Sequence, residues 1–171
     1  MANSDVWPNR RIALGLALVF ATSPLRLSAQ DPLQAADSVV LERTLCFGMC
    51  PAYRLSVSRS GVVHFASRNP RDESRRAADT IPALQFEWIL TRALVTDFLS
   101  LPDRIADDKH FCPGPATDHP TAIVTVFMPN RVKRVEDYHG CYWAPVGLRQ
   151  LEDYIDEITK AGRWIRPASI R

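Results

Sequence analysis

Thr121-Ala122-Ile123-Val124-Thr125-Val126-Phe127 is the stretch on which the fold turns. It is apolar and β-branched, carries no charge, and is too short for a buried helix. Pro129-Asn130-Arg131 follows as a turn and Val132 to Tyr138 returns, so a β-hairpin is expected here. Further towards the N-terminus, Tyr53, Leu55 and Val57 alternate with Arg54, Ser56 and Ser58, the period of a half-buried strand. Ser60-Gly61 turns that strand into Val62 to Ala66, a second hairpin over residues 53–66. Ser38 to Leu45 supplies one more strand, whereas Arg68 to Thr80 is polar, carries both charge signs and is expected to be a solvated connection.

Each hairpin is followed by a helical pattern. Pro82 opens the first, with Phe86, Ile89, Leu90, Ala93 and Leu94 at helical spacing and Pro102 beyond its end; Trp88 widens the apolar stripe and suggests a well-buried helix. The second is expected from about Pro145 to Ala161, with Leu148, Leu151, Ile155 and Ile158 on one face. Gly162 is placed to cap it, and Asp156 and Lys160 stand four apart as a favourable pair. The order strand, hairpin, helix, hairpin, helix predicts an α+β two-layer domain. Its mostly antiparallel sheet has about five strands, with both helices on one face. The halves show no residue-level repeat.

With 171 residues, 46% hydrophobic and 23% charged, the chain is long and apolar enough for a single domain with a core. Its N-terminus has another use. A polar stretch ends in Arg10-Arg11, Ile12 to Ala21 is apolar, and Thr22 and Ser23 follow. That run is far short of the roughly 20 residues a membrane-crossing helix needs, and it has the layout of a secretory signal peptide. Leu27-Ser28-Ala29 is the expected cleavage site, and Gln30 stands where a lipoprotein would carry cysteine. We therefore expect a signal peptide over residues 1–29, a linker over 30–37, the domain over 38–165 and a short tail over 166–171. The product is periplasmic or secreted, with no membrane span after cleavage. Arg10, Arg11 and Arg26 against Asp5 account for the whole net charge of +2, so the chain from Gln30 onwards is neutral. A neutral domain lacks the clustered cations that bind nucleic acid, which leaves an unknown protein or small ligand as the partner.

The cysteines are Cys46, Cys50, Cys112 and Cys141. An even count in an exported domain suggests two disulfides, with three possible connectivities. Hairpin geometry favours Cys112 with Cys141, because the segment before one strand lies beside the segment after its partner; Cys46 and Cys50 then pair with each other. The first bridge is a staple, and the second shapes a turn or serves as a reversible redox pair. Cys46-Phe47-Gly48-Met49-Cys50-Pro51 also resembles the Cys-x-x-x-Cys-Pro copper site of extracytoplasmic copper chaperones of the Sco type. Thiolates and the Met49 thioether suit Cu(I), but those proteins place the motif in a thioredoxin fold and here Pro51 leads into a hairpin. His110-Phe111-Cys112 and His139-Gly140-Cys141 together offer two nitrogens and two sulfurs, a donor set zinc accepts. The alternative is a disulfide with histidines beside it.

The remaining candidates are weaker. The loop from Pro102 to Pro120 holds Asp103, Asp107, Asp108 and Asp118, residues more typical of turns and caps than of acid–base hydrolysis. His64 reads as a surface residue, and Trp143 and Trp164 as core anchors. No Gly-rich phosphate loop or nucleophile elbow is visible.

Cys46-Phe47-Gly48-Met49-Cys50-Pro51-Ala52-Tyr53, the Ser60-Gly61 turn, Asp97-Phe98, Thr117-Asp118-His119-Pro120, Asp137-Tyr138-His139-Gly140, Leu151-Glu152 and Trp164-Ile165 together resemble the bacterial domain of unknown function 6438. The resemblance spans about residues 38 to 165. It implies an exported protein and no activity, and Cys112 and Cys141 are additions to the pattern that many members lack. We thus expect a disulfide-stabilised, non-enzymatic binding or interaction module. Its functional rim carries Cys46, Cys50, Tyr53, Asp118, Tyr138 and His139, and no cofactor is required. The alternative is a thiol redox or metal-binding protein, for copper or zinc, using Cys46, Met49 and Cys50.

Overall fold

The computed structural model describes residues 31–165; the expected signal peptide and C-terminal tail lie outside the described residues. Eight elements carry the fold: β1 (Ser38–Arg43), β2 (Tyr53–Ser58), β3 (Val62–Ser67), β4 (Arg76–Thr80), α1 (Ala83–Val95), β5 (Thr121–Met128), β6 (Arg131–Tyr138) and α2 (Val146–Thr159). The strands form one sheet in the order β4-β3-β2-β1-β5-β6, and every neighbouring pair is antiparallel. The fold is thus α+β, with six strands rather than five. The extra strand, β4, lies in the stretch expected to be a solvated connection. It is an edge strand in which only Ala77 and Asp79 point towards the helices, so its sequence carries almost no apolar signal.

Strand register sorts the helix-facing side chains into three rows. Val63, Val57, Val39 and Val126 form one; Phe65, Leu55, Leu41, Val124 and Val135 form the next. Both rows are buried to 3% exposure or less and meet Phe86, Ile89, Leu90 and Ala93 of α1 and Leu148, Leu151 and Ile155 of α2. The third row, Ser67, Tyr53, Arg43, Ala122 and Asp137, crosses one end of the sheet and is largely polar. The side-chain period of two requires this: Arg43 follows Val39 and Leu41 onto the inner face, and Asp137 follows Val135.

The helices lie side by side on that face. Thr96, just after α1, donates its hydroxyl to the Gly147 carbonyl at 3.2 Å, and Arg92 stacks over the Tyr154 ring at 4.0 Å. The outer face mixes Val40, Ile123 and Phe127 with polar side chains, among them the Glu42–Arg54 cross-strand ion pair at 2.8 Å. The segment expected as a linker is docked instead, since Leu33 and Ala36 belong to the core. Trp88 is about half exposed and Trp143 73% exposed, so neither anchors the core; Trp164 does pack, with its ring 5.4 Å from that of Phe65. Gly61 turns the β2–β3 hairpin at φ 86°, and a Cβ there would lie 2.0 Å from the Ile81 carbonyl oxygen. α2 ends at Lys160 in the left-handed conformation, φ 54°, one of the few positions where a non-glycine residue does so; Gly162 falls in the following turn.

Candidate functional site

The polar row needs partners, because charges cannot be left bare under a helix layer. α2 supplies them at helical spacing: Arg149, Glu152, Asp153 and Asp156 form a stripe beside its apolar one. Arg43 donates from Nε to Asp156 at 2.8 Å and from a terminal nitrogen to Asp153 at 3.0 Å, and its other terminal nitrogen lies 3.8 Å from Glu152. The Tyr53 hydroxyl donates to the other Asp156 oxygen at 2.6 Å. Asp156 is therefore committed to the sheet and not to Lys160. Burial disfavours the Arg43 cation, but Asp156, Tyr53 and Glu152 outweigh it and its pKa rises. Burial, with the Asp156 charge added, likewise pushes the Tyr53 hydroxyl up.

Beside this network stands a second cluster. Asp137 and His139 are two apart at the end of β6, so both face α2. His139 Nε2 lies 2.9 Å from Glu152 Oε2 and 3.8 Å from Asp137 Oδ2. Arg149 donates to Asp137 at 3.0 Å and to the Cys141 carbonyl at 2.6 Å. Asp137 and Glu152 are 0% and 1% exposed, and each has one oxygen, Oδ1 and Oε1, without a hydrogen-bond partner. Burial pushes the Glu152 carboxyl above its ordinary range; the His139 hydrogen bond opposes the rise, and the charge of Asp137 adds to it. Three buried or half-buried carboxyl groups, Asp137, Glu152 and Asp156, thus share Arg43, Arg149 and His139, while Asp153 stays largely exposed.

The disulfides frame the site. Cys112 pairs with Cys141 and both are fully buried; Cys46 pairs with Cys50 in a half-buried loop that exposes Phe47 and Met49. Among the described residues no cysteine is free, so the zinc set of two His-x-Cys segments has no thiolates to offer. For the same reason a copper site on Cys46, Met49 and Cys50 requires prior reduction. Gly140 fixes the exit from β6, since a Cβ there would fall 2.3 Å from the Ala116 oxygen and 2.4 Å from the Tyr138 ring. His139 and Cys141 are held on either side of that contact.

A pocket of about 320 Å³ opens between these features, lined by Arg43, Cys50, Pro51, Tyr53, Pro120, Thr121, His139, Asp156, Gly162 and Ile165. It brings together Cys50, Tyr53 and His139 of the expected rim. Cys46 and Met49 line a neighbouring hollow that shares Cys50, Pro51 and Ile165 with it. Asp118 and Tyr138 line neither hollow. Asp118 is exposed at φ 68° and accepts from the Thr117 hydroxyl at 3.0 Å. Tyr138 falls on the other face of β6, where its hydroxyl donates to the Ala116 carbonyl at 2.7 Å and pins the preceding loop. Sequence reasoning passed over Arg43, Asp137, Glu152 and Asp156 as site residues. The usable signals were Arg43 and Asp137 in phase with inward strand positions, and Glu152 between Leu148 and Ile155 on the buried face of α2.

Compared with known families, residues 37–159 match the family described as Domain of unknown function (DUF6438), and the chain belongs to that family. No curated protein matches it.

Proposed function

We propose that this DUF6438 member is an exported binding module, periplasmic or secreted, that takes a compact, largely apolar small molecule into the pocket beside the Cys46–Cys50 loop. The pocket itself carries the reading: Pro51, Tyr53, Pro120 and Ile165 supply apolar walls, and Arg43, His139 and Asp156 supply a few polar groups at its base. Apolar clefts with a small number of fixed polar groups are the usual form of ligand sites. Two disulfides suit an oxidising compartment, and among the described residues no helix is long and apolar enough to cross a membrane.

The test is an NMR screen with small aromatic and aliphatic fragments. Binding should shift the amide signals of Cys50, Tyr53, His139 and Ile165 together. Gly162 offers a control, because it lines the pocket and a Cβ there meets nothing within 4 Å, so Gly162→Leu adds bulk at the pocket wall without a backbone clash. That variant should fold and lose fragment binding. Shifts scattered over the surface, or binding unchanged in Gly162→Leu, would refute the pocket reading.

A second reading rests on the contrast between the disulfides. Cys46–Cys50 is reachable at the surface whereas Cys112–Cys141 is fully buried, which suits reversible exchange at the former. An external dithiol would give two electrons and two protons to the bridge, leaving Cys46 and Cys50 as thiols and itself as a disulfide. Graded reduction with mass-spectrometric thiol mapping should open Cys46–Cys50 first, in folded protein. Opening of both bridges only on unfolding would refute it.

A further inference from the structure

We propose that Asp137, His139 and Glu152 form a divalent metal centre of the zinc class, with its open coordination position facing the pocket. These three residues each offer a donor atom, and the donors lie within 4.8 Å of one another. One imidazole nitrogen and two carboxylate oxygens form a donor set that zinc takes, and three protein ligands leave one position free. Donors around a tetrahedral zinc ion stand about 3.4 Å apart, given metal–ligand bonds of about 2.0–2.2 Å. The separations of 2.9 Å and 3.8 Å from His139 Nε2 fall on either side of that value.

Unmet bonding supplies the independent argument. Asp137 Oδ1 and Glu152 Oε1 are buried and have no partner. Each belongs to a carboxylate whose other oxygen already reaches His139. A buried carboxylate oxygen left bare is costly, and two in one cluster are what a bound cation would relieve. Arg149 already holds one Asp137 oxygen and the Cys141 carbonyl, so it orients that carboxylate without filling the gap. Such outer hydrogen bonds are what fix ligands to a metal. His139 lines the pocket while Asp137 and Glu152 sit behind it, so the vacant position would open towards a pocket ligand. This centre is separate from the thiol chemistry at Cys46 and Cys50 and does not require the pocket reading to be right.

Isothermal titration of chelator-stripped protein with Zn²⁺ alone, disulfides intact, tests the proposal. The expected result is one saturable equivalent, with Glu152→Gln and His139→Ala each weakening affinity at least tenfold and His110→Ala leaving it unchanged. Glu152→Gln keeps the shape and an acceptor oxygen, and its metal-free melting temperature sets the baseline; added Zn²⁺ should raise the wild-type melting temperature by more than the variant's. X-ray absorption should show nitrogen and oxygen neighbours with no sulfur. Absence of saturable binding, wild-type affinity in Glu152→Gln, or a sulfur shell would overturn it. Fragment shifts in metal-free protein keep the pocket reading testable when the metal reading fails.

Discussion

At the scale of single residues, Tyr53 shows how one side chain serves both the core and the site. Its ring lies 5.4 Å from that of Phe65, while its hydroxyl donates to Asp156 at 2.6 Å. Tyr53→Phe keeps the ring and removes the donor, leaving a largely buried carboxylate one bond short. We expect a loss of about 1–2 kcal/mol in urea denaturation, with little change in the far-ultraviolet spectrum. Double substitution with Asp156→Asn should cost less than the sum of the two, because the residues share one bond. Tyr53 was legible as an inward strand residue from its alternation with Arg54. Its hydroxyl's partner was not, since Asp156 lies more than a hundred positions away on α2 and no local spacing links the two.

Among the elements, the hairpins were the most legible because their signal is local. Thr121 to Phe127 and its return strand pair as the turn at Pro129-Asn130 dictates, with Met128 opposite Arg131. β4 escaped because an edge strand with one helix-facing alanine has no periodicity to detect. The loop between α1 and β5 is tied down by a different device. Lys133 of β6, only 7% exposed, donates to Asp103 at 2.7 Å and to the Leu101 carbonyl. That hydrogen bond, with the Lys133 charge, holds the Asp103 carboxyl below its ordinary range. A carboxylate with a lowered pKa adds stability above the ordinary range, and that stability is lost as pH falls through the lowered value. Melting temperatures measured from roughly pH 5 down to pH 2 should therefore fall more steeply for the wild type than for Asp103→Asn. Parallel curves would show that the pair does not couple to folding.

For the molecule as a whole, the two bridges divide the work unequally. Cys112–Cys141 spans 29 positions and sits in the core; Cys46–Cys50 spans four at the surface. In the chain-entropy model the longer closure is worth about 3–4 kcal/mol and the shorter about 2. Replacing Cys112 and Cys141 together by serine should therefore lower stability more than replacing Cys46 and Cys50, as read by chemical denaturation. The serine hydroxyls left in the core add to the first loss. Equal losses would mean that the buried bridge is not the main staple. The even cysteine count and the hairpin logic made the pairing legible. The metal-ligand cluster was not, because its members reach one point only after α2 packs across the end of the sheet.

The central place of β1 has a consequence for how the polypeptide comes to be finished. Among the described residues β1 is the first strand to be synthesised, yet one of its two neighbours is β5, and Arg43 must wait for Ala122. Until β5 is present, that side of β1 is an open edge, with Val39 and Leu41 on its inner face, ready to pair with any other extended segment. Hairpin β2–β3 can close early, but the sheet becomes one sheet only when β5 inserts beside its oldest member. Closure of the sheet is thereby postponed until β5 has been made, and a chain interrupted before that point is exposed to aggregation.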